Sequence, residues 1–135
     1  MVTTQNISWD DIEFLISILS TNILKLSRTF SSISTLSRGG LVPSRLLADA
    51  LGIKTIHVDP NTISSDSLFV DDIFDTGKTF YGIFSHVDDS SKFIFATLFA
   101  RIGMKYPQQL IYAKKTFDDS YVVFPWDKLE FQNTQ

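Results

Sequence analysis

The chain has no cysteine among its 135 residues. That absence excludes disulfides and thiolate metal centres and suits a reducing compartment. Histidine is scarce as well: His57 and His86 have no partner at ligand spacing, so neither is expected to hold a metal. Long hydrophobic runs are missing. The longest, Phe93 to Phe99, is broken by Thr97 and is far too short to cross a bilayer, so no membrane partner is expected. No basic start leads into an apolar stretch at the amino end, and the expected location is the cytoplasm. Positive charge is in short supply. Twelve Lys and Arg against fifteen Asp and Glu leave a net charge of −3, and Lys114-Lys115 is a pair with no basic stripe around it. This argues against nucleic acid as the main partner, although it leaves room for a local anion site.

What is present is ordinary for a globular domain: 44% hydrophobic and 20% charged residues. No repeat, low-complexity tract or linker divides the chain, so residues 1–135 read as one domain. Ser8 followed by Asp11 approximates a capping box. Behind it Ile12, Leu15, Ile16, Leu19, Ile23 and Leu26 recur at helical spacing and predict a helix over 9–28. A strand is predicted from Phe30 to Leu36, then a turn at Ser37-Arg38-Gly39-Gly40. A helix follows with Pro43 in its first turn and Gly52 as its left-handed stop. Further strands are predicted over 54–58, 68–71, 92–100, 109–114 and 120–124, with a helix over 77–88. Strand and helix alternate up to about residue 100, which implies right-handed crossovers and an α/β fold with a mostly parallel sheet. The last strands lack a helix between them and suggest an edge or small cap; the tail after residue 130 is expected to be loosely held.

Two segments carry chemistry. In the first, the apolar strand Leu68-Phe69-Val70 ends in Asp71 and Asp72, and Asp75 opens the polar turn Thr76-Gly77-Lys78-Thr79 before a helix. The turn's amides and the helix start suit a phosphate, and the adjacent acids suit vicinal hydroxyls, directly or through a divalent cation. A Walker A loop would need glycine where Asp72 stands, and an acid that merely caps a helix explains one of the three acids. In the second segment Arg38-Gly39-Gly40 lies between a strand and a helix, where glycines permit close backbone approach to an anion. In an open parallel sheet both turns emerge on the carboxyl edge, where ligands bind.

The 68–80 string resembles the signature of the type I phosphoribosyltransferases, which use phosphoribosyl pyrophosphate (PRPP): an apolar run, two acids, two variable residues, then Asp-Thr-Gly-x-Thr. Ser-Arg-Gly-Gly-Leu-Val-Pro at 37–43, and Tyr-Val-Val-Phe-Pro-Trp-Asp at 121–127, are similar to segments of the bacterial xanthine-guanine subfamily. The resemblance implies that fold, with a minimal C-terminal hood, and transfer of phosphoribose from PRPP to guanine or xanthine before hypoxanthine. It implies that Arg38 and Gly39 hold pyrophosphate, and that Asp71 and Asp72 bind the ribose hydroxyls, partly through Mg²⁺ and water. Asp75 would face the purine N7 as general base, and Thr76, Gly77, Lys78 and Thr79 would wrap the 5′-phosphate. Arg101 stands where the subfamily has a lysine on the purine 6-oxo group; Tyr121 would stack on the base and the Val122 backbone would read its edge. A homo-oligomer, dimer or tetramer, is implied too.

One feature departs from the pattern. Family members carry a long flexible loop ahead of the acidic strand, whereas here 57–67 is short and has no Lys, Arg or Tyr. Two explanations stand open. A partner subunit or the cap closes the site, or the protein binds PRPP or a nucleotide as a regulator without catalysis.

Overall fold

The computed structural model describes residues 3–129; the tail after residue 130 lies outside them. Five parallel strands in the order β3-β2-β4-β5-β6 form the main sheet. They are β2 (Ser32–Thr35), β3 (Ile56–Val58), β4 (Ser67–Phe74), β5 (Phe95–Ala100) and β6 (Leu110–Lys115). Helices among the described residues include α1 (Trp9–Leu24), α2 (Leu41–Leu51) and α3 (Lys78–Ile83), the last followed by one tight turn at Phe84–His86. A second, two-stranded parallel sheet joins β1 (Thr4–Asn6) to β7 (Tyr121–Val123). The mostly parallel α/β architecture is as expected. The hood, however, is only half C-terminal, because the polar segment Thr4-Gln5-Asn6 gives no alternating signal and still supplies one of its strands.

α1 starts where the capping box predicts: Ser8 Oγ accepts the Asp11 N–H at 3.1 Å, and Asp11 accepts the Ser8 N–H at 2.9 Å. It ends four residues short of the predicted 28. Arg28 must turn away to donate to the carbonyls of Lys92 (2.5 Å) and Ser65 (2.7 Å) while lying 4.6 Å over the Phe30 ring. α2 ends on Gly52 at φ +72°, the left-handed stop the sequence implies. α3 is shorter than 77–88 because the chain must leave it to meet Ile63. The Ile63 N–H donates to the His86 carbonyl (2.9 Å), and the Asp88 N–H donates to Ile63 O (3.0 Å).

The sheet separates two apolar layers. On one face α1 and α2 bury Ile12, Leu15, Leu19 and Leu47 against Ile33, Leu68 and Val70. On the other, aromatic rings dominate: Phe69 stacks on Phe95 at 5.0 Å, and Phe80 meets Phe95 edge-on at 5.4 Å. Successive residues of β4 alternate between the layers, Leu68 and Val70 to one side and Phe69 to the other.

Phe69 is fully buried against the rings of Phe93 and Phe95, so Phe69→Ala should cost about 3–5 kcal/mol of unfolding free energy. Urea denaturation measures it, and a loss below about 1 kcal/mol would show that the aromatic layer repacks.

Candidate functional site

The site follows from unequal strand lengths. β2 pairs with β4 only as far as Ser34 opposite Phe69, whereas β4 runs on beside β5 to Phe74 opposite Ala100. Beyond Val70, whose carbonyl accepts the Thr35 hydroxyl at 2.7 Å, one side of β4 is open. Asp71 and Asp72 occupy that stretch. They therefore sit within the strand and not at its tip as the sequence suggested, because pairing with β5 continues three residues past Asp71. Each acid also accepts the next residue's amide: Asp72 N–H to Asp71 Oδ1, and Ile73 N–H to Asp72 Oδ1, both 2.8 Å.

Two neighbouring carboxylates in a partly buried place cannot both ionise cheaply. Burial raises the Asp71 carboxyl above its ordinary value despite the amide bond. Burial first, and the Asp71 charge second, push Asp72 up to about 8. The pair is thus prepared for something positive, or for hydroxyl donors. Among the described residues no cluster of three or more His, Cys, Asp or Glu could hold a metal by itself. Two carboxylates fit Mg²⁺ only when a ligand's own oxygens complete the shell, which is how that ion is commonly held on phosphate substrates.

A cavity of about 170 Å³ opens here, lined by residues 71–80 and Phe95. Asp75, Thr76 and Lys78 are exposed at its rim. Gly77 caps α3 at φ +88°, and a Cβ there would lie 2.8 Å from the Tyr81 ring and 3.0 Å from the Phe74 ring, so only glycine closes this turn. The Thr76 hydroxyl accepts the Lys78 amide at 3.4 Å. Thr79, half-buried, lies in the first turn of the helix.

The second turn reaches the same place. A Cβ built on Gly39 would stand 2.8 Å from Asp72 Oδ2, and one on Gly40 would overlap the Thr35 hydroxyl and lie 2.8 Å from Val70 O. The Ser37–Arg38 peptide is cis, and Arg38 is exposed beside it. The turn is held from the far side by Asp59, the residue just after β3. Asp59 Oδ1 accepts the Ser37 N–H at 2.8 Å, and Oδ2 accepts the Ser37 hydroxyl at 2.6 Å. These bonds hold its carboxyl below the usual range. Its own backbone is left-handed at φ +51°, a conformation Asp and Asn tolerate better than most residues. An Asp one step after a strand was the available signal.

Arg101, at the end of β5, does not stand free over the cavity. Its Nε and Nη2 donate to the two oxygens of Asp75 at 3.0 and 3.3 Å, and Nη1 donates to the carbonyls of Asp118 (3.1 Å) and Ser120 (2.8 Å). Tyr121 follows on β7, half-exposed, with Val122 buried behind it. The Tyr121 N–H bonds Thr3 O and the Val123 carbonyl bonds the Ile7 N–H. Peptide groups alternate along a strand, so the Val122 peptide groups face away from β1. Arg38, Arg101 and Tyr121 lie on the carboxyl side with the acids but outside the cavity lining.

The short connection ahead of β4 is pinned to the body. Ile63 is buried and bridges Val87, and the Ser65 amide donates to Asp88 Oδ1 at 2.8 Å. Asp88 and Asp118 act as turn acids, Asp118 accepting the Ser120 amide at 2.8 Å. His57 and His86 are exposed. Trp9 packs 5.9 Å from Trp126, whose ring stacks on Phe124 at 4.8 Å. No described helix is long and apolar enough to cross a membrane.

No family model matches the chain. It is 26% identical over 143 aligned positions to a xanthine-guanine phosphoribosyltransferase of Gluconobacter oxydans, covering 90% of this chain and 83% of that one. Its fold is that of a xanthine-guanine-hypoxanthine phosphoribosyltransferase of Helicobacter pylori, with a TM-score of 0.77, 17% identity, and 98% and 99% of the two chains covered. A hypothetical protein of Neisseria gonorrhoeae crystallised with bound ppGpp superposes with a TM-score of 0.73 at 19% identity, over 98% and 94% of the chains.

Two predictions follow from this geometry. Between the ordinary aspartate value of 3.8 and about 8, the fold retains a proton on Asp72 that the unfolded chain has released. Stability without divalent cation or ligand should therefore fall as pH rises from 5 to 8. Asp72→Asn should flatten that slope in a melting series; an unaltered slope would mean the pair is not strained by its charge. Asp59→Gly keeps the left-handed backbone but releases Ser37, so calorimetry should find pyrophosphate bound about tenfold more weakly.

Proposed function

We propose that this chain, a type I phosphoribosyltransferase by fold and by sequence similarity, transfers phosphoribose from PRPP to a 6-oxopurine, with guanine and xanthine preferred over hypoxanthine. The products are the nucleoside monophosphate and pyrophosphate. One observation carries the reading: the Arg38-Gly39 turn abuts Asp72, so two anion-binding turns and an acid pair share one edge of the sheet.

In this reading the amides and side chains of Thr76, Gly77, Lys78 and Thr79 surround the 5′-phosphate. Asp71 and Asp72 accept hydrogen bonds from the ribose hydroxyls, and they would hold Mg²⁺ together with oxygens of PRPP. When bound, the ion neutralises charge that gathers on the departing pyrophosphate. Arg38 and the Gly39 amide take up the rest of that charge. The purine stacks on Tyr121 with its edge toward the Val122 backbone, which holds its nitrogen in line with C1′. That nitrogen donates its pair to C1′ as the bond from C1′ to pyrophosphate breaks, and the pair of the broken bond leaves on pyrophosphate. The proton lost from the purine passes to Asp75.

A regulatory reading, in which the chain binds PRPP or a nucleotide without turnover, has its own support. The connection ahead of β4 is tied down and carries no cation to close over a ligand. The Neisseria gonorrhoeae neighbour was crystallised with ppGpp. Closure in the catalytic reading would come from the hood or from a second copy of the chain.

The purified protein with Mg²⁺, PRPP and each purine in turn should yield nucleotide, read by chromatography, from guanine or xanthine faster than from hypoxanthine. No nucleotide from any base, together with measurable PRPP or ppGpp binding, would favour the regulator. Asp75→Asn should lower turnover about 10²-fold or more while PRPP affinity holds within about threefold. Unchanged turnover would take Asp75 out of the reaction.

A further inference from the structure

Arg101 is the residue whose contacts least match a simple contact with substrate. Its side chain is only 13% exposed, against 52% for its partner Asp75. Four of the five guanidinium N–H groups are already engaged: two on the Asp75 oxygens, and Nη1 on the carbonyls of Asp118 and Ser120. The backbone is fixed as firmly. The Arg101 amide donates to Phe74 O at 2.7 Å, and its carbonyl accepts the Tyr106 hydroxyl at 2.6 Å. One side chain thus joins the loop after β4 to the turn that delivers Tyr121.

We propose that Arg101 is a positioning residue: it sets the orientation of Asp75 and the height of the 118–120 turn together, so that the phosphate loop and the base shelf are registered by one guanidinium. The inference rests on the phosphoribosyl-transfer reading and assigns Arg101 a role that acts through Asp75. The planar fork matters because it fixes both carboxylate oxygens at once while its other arm reaches two carbonyls. A lysine ammonium is a single point and cannot span these four acceptor oxygens with defined angles.

A kinetic cycle tests this. Arg101→Met should lower turnover about tenfold or more and raise the purine KM, while PRPP affinity measured without purine changes less than about threefold. If Arg101 acts on turnover through Asp75, the double variant with Asp75→Asn should turn over saturating purine no slower than Asp75→Asn alone, within about threefold, while the rise in purine KM that comes from the 118–120 turn persists. Arg101→Lys should recover only part of the loss. It also serves in the same cycle if Arg101→Met does not fold. Turnover losses that multiply in the double variant would overturn the inference, as would full recovery with lysine, or an Arg101→Met enzyme with ordinary kinetics. A wild-type protein that makes no nucleotide overturns the functional reading itself, an outcome distinct from an active wild type with an indifferent Arg101.

Discussion

The structure turns on a mismatch in strand length. β4 outruns β2 and, among the described residues, pairs past Phe69 with β5 alone, which leaves Asp71 and Asp72 with one side open at the sheet's carboxyl edge. An edge of this kind exposes backbone amides that must find partners. Here the carboxylates of Asp71 and Asp72 take the two amides that follow them, and the Thr35 hydroxyl takes the Val70 carbonyl. The same gap admits the Gly39-Gly40 turn, which needs both glycines because Asp72 and Thr35 stand where side chains would go.

The rest of the fold holds that edge still. The phenylalanine layer fixes the base of β4 and β5, and Phe80 in that layer anchors the helix that begins after the Asp75–Gly77 turn. On the other face α1 and α2 bury aliphatic residues against the same strands, so neither layer can shift alone. Asp59 braces the Ser37–Gly40 turn from the end of β3, and Arg101 braces the Asp75–Thr79 turn from the end of β5. Each brace uses both oxygens of a carboxylate, Asp59 itself in the first case and Asp75 under the Arg101 guanidinium in the second. The strained pair, Asp71 and Asp72, is left as the place where a cation or sugar hydroxyls gain most.

The tied-down connection between β3 and β4 gives the site its particular character. With Ile63 buried and Ser65 bonded to Asp88, this stretch adds stability to the aromatic layer and takes no part in covering the edge. In the proposed phosphoribosyl transfer, water exclusion around the ribose would then fall to other parts: the hood built on β1 and β7, or a neighbouring copy. The exposed faces of Tyr121 and Phe117 lie on that hood and the turn before it.

Local signals carried much of the chain. The Ser8–Asp11 box, the apolar stripe from Ile12 to Ile23, the Gly52 stop and the glycine of the Asp75–Thr79 turn are each decided within a few residues, and the structure agrees with all four. The acid motif and the Arg38-Gly39 turn were legible for the same reason, since loop chemistry is written in consecutive residues. What the sequence could not decide was anything set by a partner distant in the chain. The extra length of β4 depends on β5, the early end of α1 depends on the carbonyls of Ser65 and Lys92, and β1 exists because β7 accepts it. Arg101 reads locally as a lone cation. Only packing brings it within 3.0 Å of Asp75, because hydrogen bonds across 26 residues are chosen by the tertiary fold and leave no mark on the sequence nearby.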